Sequence, residues 1–255
     1  MHKLIKDKLE VDIYPTRSEM GKAAADYSVE IIKKVLSEKE TLRVVFAAAP
    51  SQNEFLENIL LRDDIEWNRI HAFHMDEYSG ISPDSPQSFA NWLKNKIFSK
   101  KPFASVSYVD TFQKNADEVC VEYEKLLKEA PIDIVFMGIG ENGHIAFNDP
   151  PVANFNDPKW VKTVELEEKC KVQQVFDGCF KSIEDVPNNA ITLTIPALLS
   201  ADYLSVVVPG IRKSDAVKDT LEGEISTSCP ATILRTHKKA KMFLDFDSAN
   251  KINYK

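Results

Sequence analysis

Hydrophobic positions along this chain change period repeatedly, and the changes divide it into alternating helices and strands. Thr16-Arg17-Ser18-Glu19 reads as a capping box, a hydroxyl at the N-cap with a carboxylate three residues on. Met20, Ala24, Tyr27, Ile31 and Val35 then recur at helical spacing and predict a core-facing helix. Val44 to Ala49 is a short apolar run stopped by Pro50, the pattern of a strand buried on both faces. A helix is expected from Asn53 to Leu61, a strand over Arg69 to His74, a helix over Pro86 to Phe98 and a strand over Val106 to Val109. Ala116, Val119, Tyr123, Leu126 and Ala130 form a helical stripe ending at Pro131, and Ile132 to Met137 reads as a central strand. Tyr203 to Val208 and Lys241 to Phe246 are further strands, with a helix from Lys213 to Leu221 between them.

Strands alternating with helices predict an α/β, Rossmann-like fold: one open, mostly parallel sheet with helices on both faces. At 255 residues the chain fits a single domain over 1–255. Ligands in such sheets bind beyond the carboxyl ends of strands, which directs attention to the residues after Phe73, Met137 and Val208. The segment 150–186 shows no clear periodicity and is read as a lid or an irregular excursion.

Composition narrows the picture. A formal net charge of -7 disfavours nucleic acid and anionic membranes as partners, and leaves room for a small anionic substrate held by a local cluster of donors. No apolar run approaches the roughly 18–20 residues of a membrane span, and Met1 to Lys6 lacks a signal-peptide core. Cys120, Cys170, Cys179 and Cys229 show no zinc-ligand spacing, which predicts free thiols and a cytoplasmic address.

Two loops carry candidate chemistry. In Gly138-Ile139-Gly140-Glu141-Asn142-Gly143-His144-Ile145-Ala146-Phe147-Asn148-Asp149-Pro150, glycines after a buried strand let the backbone approach a ligand. His144 is the side chain there suited to proton transfer near neutrality, and Asp149 is placed to orient its ring. In Phe73-His74-Met75-Asp76-Glu77-Tyr78, one carboxylate can act as a base that removes a proton alpha to a carbonyl; spacing does not rank Asp76 against Glu77.

The stretch from Asn142 to Pro150 is similar to the active-site signature of glucosamine-6-phosphate deaminases. Met75-Asp76-Glu77-Tyr78 followed by Pro86-Gln87-Ser88-Phe89 resembles a second active-site segment of that family. Pro209-Gly210-Ile211-Arg212-Lys213 followed by Thr227-Ser228-Cys229-Pro230-Ala231 resembles a third, and the three matches run in order from about Val44 to Phe246.

The resemblance implies conversion of glucosamine 6-phosphate and water to fructose 6-phosphate and ammonia, without metal or organic cofactor. By match, Asp76 moves the proton between C2 and C1, His144 helps open the pyranose ring, and Asp149 and Asn142 belong to the same catalytic group. Lys213 matches a phosphate-binding lysine at the start of a helix, where free N–H groups favour an anion. Gly143 and Glu77 are expected to touch substrate. There are departures from the family pattern. Asn142 stands where the best-known members carry Asp, so His144 is expected to lean on Asp149 alone. Asp149 itself replaces a longer Glu, which predicts a lengthened contact to His144. The glycine-rich phosphate turn is replaced by Ala49-Pro50-Ser51-Gln52-Asn53, where Ser51 and Gln52 are left to supply side-chain donors. An Arg usual in the lid region is replaced by the neighbourhood of Lys171, Gln173 and Gln174. The chain stops soon after its last strand, which predicts a monomer or small homo-oligomer without amino-sugar activation. The competing readings are a galactosamine-type isomerase/deaminase, a 6-phosphogluconolactonase-like hydrolase, and a non-catalytic sugar-phosphate-binding regulator.

Overall fold

A computed structural model describes residues 1–253. Its main sheet contains β1 (His2–Lys6), β2 (Leu9–Tyr14), β3 (Leu42–Phe46), β4 (Ile70–His74), β6 (Ser105–Ser107), β7 (Ile134–Met137), β10 (Tyr203–Val208) and β11 (Ala240–Asp245). The spatial order is β1-β2-β11-β10-β7-β3-β4-β6, parallel throughout except for the antiparallel β1–β2 pair. A second, three-stranded antiparallel sheet pairs β5 (Asp76–Tyr78) with β9 (Asn189–Leu193) and β9 with β8 (Val161–Glu165).

Alternation along the central strands sends neighbouring residues to opposite faces. Val45, Val135, Val206 and Val208 pack under α4 (Ala116–Lys128), α6 (Ile195–Leu199) and α7 (Ser214–Glu222). Val44, Phe46, Ile134, Phe136 and Val207 pack under α1 (Arg17–Glu38), α2 (Asn53–Leu60) and α3 (Phe89–Leu93). Helices therefore cover both faces, as the near-continuous apolar strands require. None of the helices among the described residues is long and apolar enough to cross a membrane.

Helix α1 starts where its sequence signal lies: Glu19 N–H donates to Thr16 Oγ1 at 3.2 Å, and Thr16 N–H donates to Glu19 Oε2 at 3.1 Å. One element is added and two expectations are corrected. The first 15 residues hold the hairpin β1–β2, whose second strand pairs with β11. The predicted helix from Pro86 begins only at Phe89, capped by Ser88, and its last turn, Lys94–Phe98, is π-helical. The stretch 150–186 contains strand β8 and helix α5 (Glu168–Phe176). In β8 the buried residues Val161 and Val164 lie three apart, so no period of two was visible.

The sheet reverses its winding between β3 and β7. From β3 the chain runs outward through β4 and β6, then returns to β7 and proceeds outward through β10 and β11. The crevice at such a point is where a ligand fits. Replacing Thr16 by Ala removes the capping box, and the free energy of urea-induced unfolding should fall by about 1 kcal/mol.

Candidate active site

Loops leaving β3, β4, β7 and β10 surround a cleft of about 320 Å³ at the carboxyl ends of these strands, on the scale of a small-molecule site. Asp76, His144, Ser51, Gln52 and Lys213 all line it. The carboxylate after one strand and the imidazole after another thus converge on one cavity.

Asp76 is buried, and its side chain has no hydrogen-bond or ion-pair partner among the described residues. Burial, and secondarily the charge of Glu77, push its carboxyl well above the usual range. Its backbone is fixed. Asp76 pairs with Thr192 in the β5–β9 ladder, and its carbonyl accepts a hydrogen bond from His74 Nδ1 at 2.9 Å. His74 Nε2 accepts from Val109 N–H at 2.8 Å, which assigns the proton to Nδ1. Burial lowers this imidazole to about 4, so it is a neutral brace.

Glu77 points elsewhere. Its carboxylate accepts from Tyr78 N–H, Phe89 N–H, Ala90 N–H and Ser88 Oγ at 2.7–3.1 Å, and so caps the start of α3. It does not line the cleft, which corrects its expected contact with substrate. The open choice between the two acids is resolved by strand alternation: Asp76 faces the cleft, Glu77 the helix.

His144 Nδ1 lies 2.8 Å from Asn142 Oδ1 and 2.9 Å from Asp149 Oδ1. Both are acceptors, so Nδ1 carries the proton and Nε2 is the lone-pair nitrogen left for a ligand. Two expectations fail here: His144 does not lean on Asp149 alone, and the shorter Asp149 side chain does not lengthen the contact. Burial raises the Asp149 carboxyl, but His144, the hydrogen bond from Asn142 Nδ2 and the nearby Cys170 thiol outweigh it and hold it below its ordinary value. His144, Asp149 and Cys170 are also the one group of potential metal donors among the described residues, with ligand atoms within 4.8 Å of one another. The imidazole and carboxylate are already bonded to each other, and burial pushes the thiol well up, so hydrogen bonding accounts for the trio.

The loop geometry explains its glycines. A Cβ on Gly140 would lie 2.1 Å from the His144 ring, so only glycine lets the imidazole pack on that backbone. Gly143 adopts φ 78 and would drive a Cβ into Cys229 Sγ at 2.4 Å. Its N–H donates to Gly140 O and its carbonyl accepts from Ala231 N–H. Gly143 is therefore a turn residue that does not line the cleft, another correction. Ala146, which does line it, holds φ 49, a conformation costly for a residue with a Cβ and frequent at functional sites.

Lys213 lines another side of the cleft. Burial lowers its pKa, and its ammonium makes no hydrogen bond or ion pair among the described residues. It ends a 3-10 turn, Ile211–Lys213, that leads into α7. Pro50 opens another such turn, Pro50–Gln52, at the start of α2. Gln52 Nε2 donates to Ser51 Oγ at 3.2 Å and to Val207 O at 3.4 Å, which holds the Ser51–Gln52 pair at the floor.

Sequence reasoning missed Arg17, which reaches the cleft from the first turn of α1. Its guanidinium donates to Glu54 Oε1 at 2.6 Å and to Pro50 O at 2.7 Å. Glu141 and Arg212, also unassigned, pair across the cleft rim at 2.7 and 2.9 Å. Gln173, Gln174 and Asp177 line it from α5 and its C-cap. Arg17 carries no local signal, because it sits inside a capping box that explains the segment by itself.

The family model for glucosamine-6-phosphate isomerases/6-phosphogluconolactonase matches residues 15–243. A glucosamine-6-phosphate deaminase of Listeria welshimeri is 31% identical over 228 residues, covering 89% of this chain and 95% of that protein. One of Lactobacillus delbrueckii subsp. bulgaricus is 29% identical over 242 residues, covering 95% and 99%. A solved monomeric glucosamine-6-phosphate deaminase superposes with a TM-score of 0.87 at 26% identity, covering 95% of this chain and 99% of that one. The 6-phosphogluconolactonase of Thermotoga maritima superposes at 0.74 with 23% identity, covering 93% and 100%, a likeness of fold alone. With nearly the whole chain matched in sequence and in fold, this protein belongs to the glucosamine-6-phosphate isomerase/6-phosphogluconolactonase family.

Proposed function

We propose that this protein is a glucosamine-6-phosphate deaminase, converting glucosamine 6-phosphate and water to fructose 6-phosphate and ammonia in the cytoplasm. The observation that carries the reading is a buried carboxylate without partners, Asp76, sharing one cleft with an imidazole anchored through Nδ1, His144. His144 Nε2 takes the C1 hydroxyl proton as the C1–O5 bond breaks, and the imidazolium so formed, stabilised by Asp149, gives that proton to O5. Asp76 then removes the C2 proton while O1 takes up a proton from solvent, giving an enolamine. It returns the proton to C1, which leaves an iminium at C2; water adds there and gives up its protons, one to the nitrogen and one to solvent, and the C2–N bond breaks to release ammonia and the C2 ketone.

A desolvated carboxylate suits the C2 step. Burial raises its affinity for a proton, so it is a stronger base than an exposed aspartate once ionised. Lys213, assisted by Ser51 and the Arg17 guanidinium, faces the phosphate. The arginine supplies a charge from outside the first loop, where Pro50 has removed a backbone donor. The Asp76 carboxylate favours proton shuttling over lactone hydrolysis, and a non-catalytic regulator would bind without turnover.

Ammonia release from glucosamine and galactosamine 6-phosphates is the direct assay, and Asp76→Asn should lower kcat by about 1,000-fold or more. Deamination that survives in the variant would remove Asp76 from the mechanism. Lys213→Ala and Arg17→Ala should each raise KM by about tenfold or more with a smaller change in kcat, as expected for lost ground-state contacts. Gly140→Ala should cost about 100-fold in kcat/KM while its circular dichroism stays that of the parent, because the added methyl displaces the His144 ring.

The raised Asp76 pKa also has a sign for stability. Between the unfolded and folded pKa values the native state holds the extra proton, so its stability falls as pH rises through that window. Asp76→Asn removes this dependence. It should unfold at higher urea than the parent at pH 7, and the gap should close toward pH 4.

A further inference from the structure

Helix α5 turns a polar face toward the catalytic loop, and that face is fully engaged. Its N-cap, Glu167, makes no capping hydrogen bond with its side chain. Instead Glu167 Oε2 accepts from Asn142 Nδ2 at 2.8 Å. The same nitrogen donates to Asp149 Oδ1 at 2.9 Å. Farther along the helix, Gln173 Oε1 accepts from Glu141 N–H at 3.0 Å, and Gln174 Oε1 accepts from Tyr78 Oη at 2.8 Å. The thiol of Cys170 lies beside Asp149.

A carboxamide donates from one end and accepts at the other. Two carboxylates on Asn142 Nδ2 therefore leave Oδ1 aimed at His144, where it takes the backbone N–H at 3.1 Å and Nδ1 at 2.8 Å. Reversing the amide would place its oxygen against two carboxylates and its NH2 group against two N–H donors. We propose that Glu167 is a positioning residue which, through the Asn142 amide and alongside Asp149, holds the ring and tautomer of His144, so that docking the start of α5 raises the competent population of the imidazole.

The inference deepens the proposed deaminase reading and rests on it for its kinetic test. It also makes Asn142 and Glu167 a matched pair. An aspartate at 142 would bring three carboxylates within hydrogen-bonding distance, with Asp149 and Glu167 both facing its second oxygen. A glutamine at 167 turns that clash into a hydrogen bond, because its amide nitrogen can donate to the new carboxylate.

The experiment measures kcat and KM for ammonia release in the parent and in Glu167→Ala, Glu167→Gln, Asn142→Asp and the Asn142→Asp/Glu167→Gln double variant. Glu167→Ala should lower kcat about tenfold with KM within about twofold, and Glu167→Gln, which keeps an acceptor for Asn142 Nδ2, should recover most of that loss. Asn142→Asp alone should lose more, and adding Glu167→Gln should recover about tenfold of it, a non-additivity that a merely structural role would not produce. A double variant equal to the sum of its two single losses, or Glu167→Ala with the parent's kcat, would overturn the proposal. A second readout needs no substrate: 15N NMR of the imidazoles should find His144 protonated at Nδ1 in the parent and a larger Nε2–H population in Glu167→Ala. An unchanged tautomer ratio would count against the proposal. A parent that releases no ammonia would sink the deaminase reading, and the tautomer would still decide the role of Glu167.

Discussion

A carboxylate buried without a partner is unfavourable, and the arrangement of this cleft depends on keeping Asp76 in that state. Nothing in the side chain's own contacts holds it there. What does so is the backbone on either side: the ladder to β9, the His74 ring on the Asp76 carbonyl, and Glu77 anchored by four donors at the start of α3. The small antiparallel sheet is therefore not an appendage. Its register fixes which of two adjacent acids looks into the cleft, since a one-residue slip would exchange them.

The same division of labour holds for His144. The parallel sheet delivers its loop to the crevice, but local devices set the ring. Gly140 leaves space for it, Asn142 and Asp149 share its Nδ1 proton, and Ala146 accepts a left-handed backbone just beyond it. Asn148 secures the far side of the turn, donating to Ile145 O at 2.9 Å and to Leu193 O on β9 at 2.8 Å. Strand β9 thus braces both cleft loops, through Thr192 opposite Asp76 and through Leu193 at Asn148. Relative motion of the Asp76 carboxylate and the His144 imidazole is opposed by this one strand.

Much of this was legible in the sequence, for physical reasons that differ by element. The central strands announce themselves because both faces are buried, and α1 because its capping box precedes a clean apolar stripe. The hairpin β1–β2 was absent from the expected elements although Leu9, Val11 and Ile13 alternate in β2. Helix α5 was invisible because polar Gln173 and Gln174, which bind loops, share its inward face with a single fully buried apolar residue, Cys170, so no apolar stripe marks it. Glu77 and Gly143 were drawn toward substrate by proximity to true cleft residues, and only the directions of side chain and backbone separate them. Arg17 lies far from the other cleft residues in sequence, and its approach depends on α1 packing beside α2, a contact no local pattern records.

The electrostatics of the cleft argue that a substrate completes it. Burial lowers Lys213 and raises Asp76, so each is disfavoured in its charged form. They do not relieve one another, since no ion pair joins them. A phosphate dianion at Lys213 would satisfy the ammonium and favour its protonated state. It would also add negative charge to the cleft and strengthen the proton affinity of Asp76. On the proposed reading, phosphate binding at one end would thus raise the basicity of the Asp76 carboxylate at the other. A substrate without its phosphate would lose rate as well as affinity, because binding energy from a remote group acts here on the reacting one.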